Sequence, residues 1–241
     1  MDTGVYAALS GQLALDRRLQ TIASNVANAA TVGYRAEAVH FNELVSRVPP
    51  RPAAFASEGA SHVSEASGGF RKTGDPLDIA IQGQGFLSIQ TPQGVAYTRD
   101  GRMQMLPTGE LVSLNGYAIL DAGGAPLQLD PAGGPVAIAR DGMVTQNGRQ
   151  LGAIGLFSLD FSTPYKRLEN AAFQPGTAAQ PILSFDLNGV VSGFVEESNV
   201  NPVSQMTQLI QVTRAFEGLG AALDDVRSTE KAAIQTLAAR N

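Results

Sequence analysis

The sequence predicts an α+β fold: N- and C-terminal helices forming a coiled-coil-like domain, with an antiparallel all-β domain inserted between them. Two observations carry this. At the start, Val5, Ala8, Gln12, Leu15, Leu19, Ile22 and Val26 alternate at spacings of three and four. Near the end, Leu209, Val212, Phe216, Leu219, Leu223 and Val226 do the same, followed by Ala233 and Leu237. This is an a/d seam repeating every ~3.5 residues. In the middle, Leu77, Ile79 and Ile81 alternate with polar or small residues, and five Asx-Gly pairs follow (Asp100-Gly101, Asn115-Gly116, Asp141-Gly142, Asn147-Gly148, Asn188-Gly189). Each pair can supply the positive φ of a tight hairpin. A narrow apolar stripe is buried only when another helix covers it, so the ends are expected to gain order from helical neighbours.

The first segment, 1–34, is read as a helix that starts after Asp2 or Thr3, runs to about Ala29 and stops at Gly33. Its length is on the order of 35–40 Å. Gln12 is either the polar position of its seam, a residue type that fixes register or partner number, or a residue at the edge of the stripe. Residues 35–74 read as an extended connector or arm, in which 35–47 fit either a short helix or a strand. Pro49-Pro50-Arg51-Pro52 and an Ala/Ser/Gly-rich run to Gly69 offer few large apolar residues for a core. Residues 75–197 form the β domain, in which Gly83-Gln84-Gly85 reads as a hairpin turn. Residues 198–241 hold the second helix, from Pro202 to about Ala239 and on the order of 55 Å long, with Asn201 as N-cap. Gly218 and Gly220 weaken it by about 1 kcal/mol each, and permit either close packing or a bend. Glu196-Glu197 precede the helix, where negative charge favours its positive end.

Composition excludes several functions. The 241 residues carry a net charge of −5 with no run of Lys or Arg, which argues against a nucleic-acid interface. There is no Cys, so disulfides and Cys-based zinc sites are excluded. No stretch of about 18 apolar residues exists, so no membrane insertion is expected. Met1-Asp2-Thr3-Gly4 lacks the basic start of a Sec signal, and export, if it occurs, is expected without a cleaved signal peptide. The search for chemistry is empty. His40 and Glu43 make an incomplete metal site, and His62 lies in the low-complexity run. No Gly-x-Ser-x-Gly elbow or phosphate loop is present. The reading is therefore no enzyme, no metal and no cofactor.

The Asn residues are more informative. Ser24-Asn25-Val26-Ala27-Asn28 closes the first helix and Ser198-Asn199-Val200-Asn201-Pro202 opens the second. Capping explains each Asn alone, but not the similarity of the two inner ends.

These segments resemble the flagellar basal-body rod and hook protein family. Asn25-Val26-Ala27-Asn28-Ala29-Ala30-Thr31-Val32-Gly33-Tyr34 is similar to its N-terminal signature. Glu197 through Val203, with Met206, Leu209-Ile210 and Arg214-x-Phe216-Glu217, is similar to its C-terminal one. Thr73 through Ile81, Gly85-Phe86, Tyr97 through Gly101 and Asn115-Gly116-Tyr117 resemble its shared β segment. The modest length and Val5-Tyr6-x-Ala8-Leu9-Ser10-Gly11 are more like proximal rod members than distal rod or hook members. The resemblance implies helical assembly with other copies and other rod subunits, export through the flagellar type III apparatus, and a place in the rod crossing the periplasm. The assembly residues it implies are Val5, Leu15, Leu19, Ile22, Asn25, Val26, Asn28, Thr31, Gly33 and Tyr34 at one end. At the other they are Ser198, Asn199, Asn201, Pro202, Met206, Leu209, Phe216 and Leu223. The competing reading is a β-rich extracellular adhesin or binding module whose helices oligomerise it.

Overall fold

The computed structural model describes residues 2–41, 43–46, 53–57, 59–169 and 171–238. Helix α1 spans Asp2–Ala27 and helix α2 spans Pro202–Ala238, close to the limits that the seams predict. Asn201 caps α2 as expected: its Oδ1 accepts from the Ser204 N–H at 3.1 Å. The strand pairs of the second unit, and 43–46 with 53–56 in the first, are antiparallel.

The chain divides into two compact units. The first comprises residues 1–27, 37–62 and 201–241. Within it α1 lies against α2 and against the strands Glu37–His40 and Ala53–Ala56. Here the expectation of a connector over 35–74 is corrected. Glu37–His40 pairs with Ala60–Val63, and inside that ribbon Glu43–Ser46 pairs with Ala53–Ala56. Glu37 through His40 alternate between half-buried and exposed, the period of a strand with one covered face. The partner strands are Ala- and Ser-rich, and Val63 at the end of one of them is fully buried.

The second unit comprises residues 28–36 and 63–200. Its main sheet has nine strands, in the order 165–167, 172–175, 94–98, 86–91, 118–119, 111–113 and 103–105, with 156–158 pairing both 86–91 and 180–181. A three-stranded sheet (136–138, 143–146, 149–153) and two ribbons (79–82 with 189–192; 70–72 with 194–196) complete it. The core is aliphatic: Ile79, Ile81, Leu87, Ile89, Leu111, Ile119, Ile154 and Leu156 are fully buried. An aromatic cluster sits beside it, where Phe161 meets Phe173 and Tyr165 edge-on at centroid distances of 5.1 and 5.3 Å.

The Asx-Gly pairs divide into two kinds. Gly116, Gly142 and Gly148 take positive φ between paired strands, and Asn147 does so as well (φ 50), as a tight two-residue hairpin demands. Gly101 and Gly189 are not in that conformation. Gly101 is required by crowding instead, since a Cβ there would lie 1.9 Å from the Ile79 carbonyl oxygen. Gly83-Gln84-Gly85 is not a hairpin turn either. It links Ile79–Gln82 to Phe86–Thr91, which belong to different sheets.

Candidate functional site

In the first unit, Asn25 is 2% exposed and clasps the strand beginning at Glu37. Its Oδ1 accepts from the Glu37 N–H at 3.0 Å, and its Nδ2 donates to the Glu37 carbonyl at 2.8 Å and to Gln205 Oε1 at 3.2 Å. A side-chain amide placed this way substitutes for a strand partner. Ile22, Val212 and Leu223 are buried, and Leu15, Leu19, Val26, Leu209 and Phe216 are half-buried. The side chain of Val5 lies outside those described, as do those of Ala233 and Leu237. The seam is thus the more covered face, but it does not hold all the apolar residues. Tyr6, Leu9 and Leu13 on α1 are 63%, 46% and 64% exposed; Val203, Met206 and Ile210 on α2 are 75%, 52% and 55% exposed. Both triplets have spacings of three and four, so each helix carries a second apolar stripe that the seam reading overlooked. Pro202 and Asn201 are exposed at the start of α2. His40 and His62 face each other with ring centroids 6.3 Å apart. No group of three or more His, Cys, Asp or Glu suited to a metal occurs among the described residues.

In the second unit, the remaining motif residues converge on buried charge. Asn28 stabilises the turn after α1: its carbonyl accepts from the Thr31 N–H and its Oδ1 from the Thr31 hydroxyl, each at 3.1 Å. That turn ends at Gly33, with φ +70, whose N–H donates to the Glu196 carbonyl at 2.7 Å. A Cβ on Gly33 would lie 2.3 Å from the Asp100 nitrogen, so only glycine fits. Asn199 repeats the Asn25 arrangement. Its Oδ1 accepts from the Ala36 N–H at 2.7 Å, its Nδ2 donates to the Ala66 carbonyl at 2.6 Å, and its own N–H reaches the Tyr34 carbonyl at 3.3 Å. Ser198 Oγ accepts from the Val200 N–H at 3.2 Å. The Tyr34 ring is buried, and the Arg167 guanidinium lies between it and Phe173, 4.5 and 4.7 Å from the two centroids.

Arg99 is the hub. It is 1% exposed, and its Nε donates to Glu196 Oε2 at 2.6 Å. Its two Nη atoms donate to the carbonyls of Gly85 (2.6 Å), Ile81 (2.9 Å) and Gly83 (3.1 Å). The Gly-Gln-Gly link is therefore shaped around a guanidinium. Glu196 Oε1 accepts from the Gly68 N–H at 3.0 Å and stands 3.5 Å from Arg35 Nη2. Burial pushes the Arg99 guanidinium below its usual range while Glu196 holds it up. The expectation that Glu196-Glu197 serve the helix end is corrected: Glu196 is a buried counter-ion, and Glu197 pairs with exposed Arg71 at 3.3 Å. Asp100 does for Arg102 at the half-buried edge what Glu196 does for Arg99, with contacts of 2.8 and 2.6 Å. Sequence reasoning missed Arg35, Arg167 and the role of Glu196. The signal available was the Arg-Asp-Gly motif itself, which was read as a turn.

Three regions of the chain match family descriptions. Residues 5–35 match "Flagella basal body rod protein", residues 80–146 match the "Flagellar hook protein FlgE/F/G D1 domain", and residues 191–236 match "Flagellar basal body rod FlgEFG protein C-terminal". Among curated relatives, the flagellar basal-body rod protein FlgF of Mesorhizobium japonicum is 46% identical over the whole of both chains. FlgF of Rhizobium meliloti is 45% identical over 98% of each. The rod protein FlgG of Bacillus subtilis is 30% identical over 88% of this chain and 90% of its own.

Proposed function

The chain belongs to the flagellar basal-body rod protein family, and from that premise we propose that it is a FlgF-type structural subunit of the rod, assembling helically with copies of itself and with sister rod subunits. Full-length likeness to two FlgF proteins is the observation that carries this reading, ahead of the distal rod and hook alternatives. The family is structural, and the chain is not an enzyme. Its place is the flagellar basal body, and no described helix is long and apolar enough to cross a membrane.

The second apolar stripe supports assembly through the helices. α1 and α2 cover part of each other's seam and leave Tyr6, Leu9, Leu13, Val203, Met206 and Ile210 in water. Burial of such side chains contributes about 25 cal/mol per Å². In this reading the seams of α1 and α2 pair in a coiled-coil-like inner layer, and the stripes meet neighbouring subunits. Their residues form the outward assembly surface, and Val5, Leu15, Leu19, Ile22, Leu209, Phe216 and Leu223 form the seam layer that carries it. The β unit resists shear, and torque passes along the shaft through many such contacts. Export through the flagellar type III apparatus delivers the chain to the rod crossing the periplasm.

The test is removal of the ends. The residues to cut are 1–27, because residues 28–36 belong to the β unit. Deletion of 1–27 or of 202–241, or Leu19→Asp in the seam, should abolish incorporation into basal bodies while circular dichroism still reports a folded β unit. A truncated chain that incorporates refutes the role given to the helices.

A further inference from the structure

The chain has two histidines in 241 residues, and the first unit brings them together. Strand Glu37–His40 pairs with strand Ala60–Val63, and each puts its histidine on the open face. Val39 is half-buried next to exposed His40, and Val63 is fully buried next to exposed His62. The ring centroids are 6.3 Å apart, with the planes tilted by 55°. Neither ring makes a hydrogen bond or an ion pair among the described residues, so the nitrogens of both remain available. The other ring pairs among the described residues are built from Phe and Tyr. A ring contact alone needs no nitrogen.

We propose that His40 and His62 together hold one zinc ion, which clips their two strands to each other. Imidazole suits zinc and its neighbours among the transition metals, whereas magnesium and calcium seek oxygen. An ion bound to one nitrogen of each ring at about 2 Å, at a tetrahedral angle, sets the centroids about 5 Å apart. The rings must therefore approach by about 1 Å, which exposed side chains reach by turning about χ1 and χ2. The tilt between the planes is no obstacle, because the metal fixes the direction of each nitrogen and not the angle between the rings. No group of three or more His, Cys, Asp or Glu suited to a metal occurs among the described residues, so water completes the shell. Such a site binds more weakly than a closed one with four protein ligands. The clip spans the stretch that holds the paired strands Glu43–Ser46 and Ala53–Ala56. Only the folded ribbon sets both rings within reach of one ion, so the ion stabilises the ribbon by binding its folded form. The site uses no residue of the seams, the stripes or the charged cluster, and stands or falls apart from the rod assignment.

The test is a titration of the full chain with zinc chloride, in a buffer that does not bind metal, followed by NMR on the two imidazole rings. Both rings should change in step and saturate at one zinc per chain. Saturation should slow amide hydrogen exchange in strands 37–40 and 60–63. His40→Asn and His62→Asn replace exposed side chains, so circular dichroism should show each variant folded like the parent. Each should lose the saturable response at the ring it keeps, together with the slowed exchange. Magnesium chloride should leave both rings unmoved. The proposal is overturned by rings that titrate at separate concentrations, by a single variant whose remaining ring saturates as in the parent, by one zinc for every two chains, or by a magnesium response equal to that of zinc. Saturation with unchanged exchange in the two strands overturns the clip.

Discussion

Glu196→Gln should be among the most damaging single-atom changes available to this molecule. The carboxylate is 1% exposed, accepts from Arg99 Nε at 2.6 Å and from the Gly68 N–H at 3.0 Å, and is the nearest acid to Arg35. Glutamine keeps the shape but removes the charge, and its NH₂ must face one of those donors. Removing one partner of a buried pair costs about 3–5 kcal/mol, because the other charge stays buried. In a chain of this size each kcal/mol lowers Tm by about 2–4 °C, so the expected fall is about 6–20 °C. The neighbouring substitution Glu197→Gln breaks only the half-exposed contact with Arg71 and should cost about 0–1 kcal/mol. Calorimetry of the two variants separates the cases. If Glu196→Gln melts within about 2 °C of the parent, the charged cluster is not what stabilises the β unit.

Two further outcomes are expected. Gly33→Ala forces a side chain into the left-handed region, which costs about 1–2 kcal/mol, and against the Asp100 nitrogen at 2.3 Å; denaturant unfolding should show a loss well beyond the backbone term alone. Gly218→Ala and Gly220→Ala meet nothing within 4 Å in the single chain, so each should raise the helicity and stability of α2, by about 1 kcal/mol. If these glycines exist for close approach of a neighbouring helix, the same two substitutions lower incorporation into basal bodies, and normal incorporation of the stabilised chain removes that role.

The helices were legible because their signal is local. Spacings of three and four mark one face, and Asn201-Pro202 marks the start of α2 within a single turn. The second stripe was written in the same letters. Tyr6, Leu9 and Leu13 adjoin the seam, and counting them widens it beyond what one helix can cover. Strands 53–56 and 60–63 were not legible because five of their eight residues are Ala or Ser, which have no apolar alternation to read. Glu196 was misread for a different reason. Its partner Arg99 lies 97 residues away, and no local pattern distinguishes a carboxylate that faces a helix end from one that neutralises a buried arginine.

The duplicated Ser-Asn-Val motif now has a division of labour. Capping accounts for Asn201 alone, whose oxygen takes a helix N–H. Asn25 and Asn199 do something that a cap does not. Each uses oxygen and nitrogen together, accepting from one backbone N–H and donating to a backbone carbonyl. Aspartate could accept but not donate, and serine is too short to reach both groups with a fixed geometry, so the amide is the side chain these positions require. The N–H groups they accept from belong to consecutive residues, Ala36 by Asn199 and Glu37 by Asn25. One short stretch of backbone is therefore satisfied by side chains from opposite ends of the sequence. The similarity of the two inner helix ends follows from this: both deliver the same amide to neighbouring peptide units, one in each compact unit.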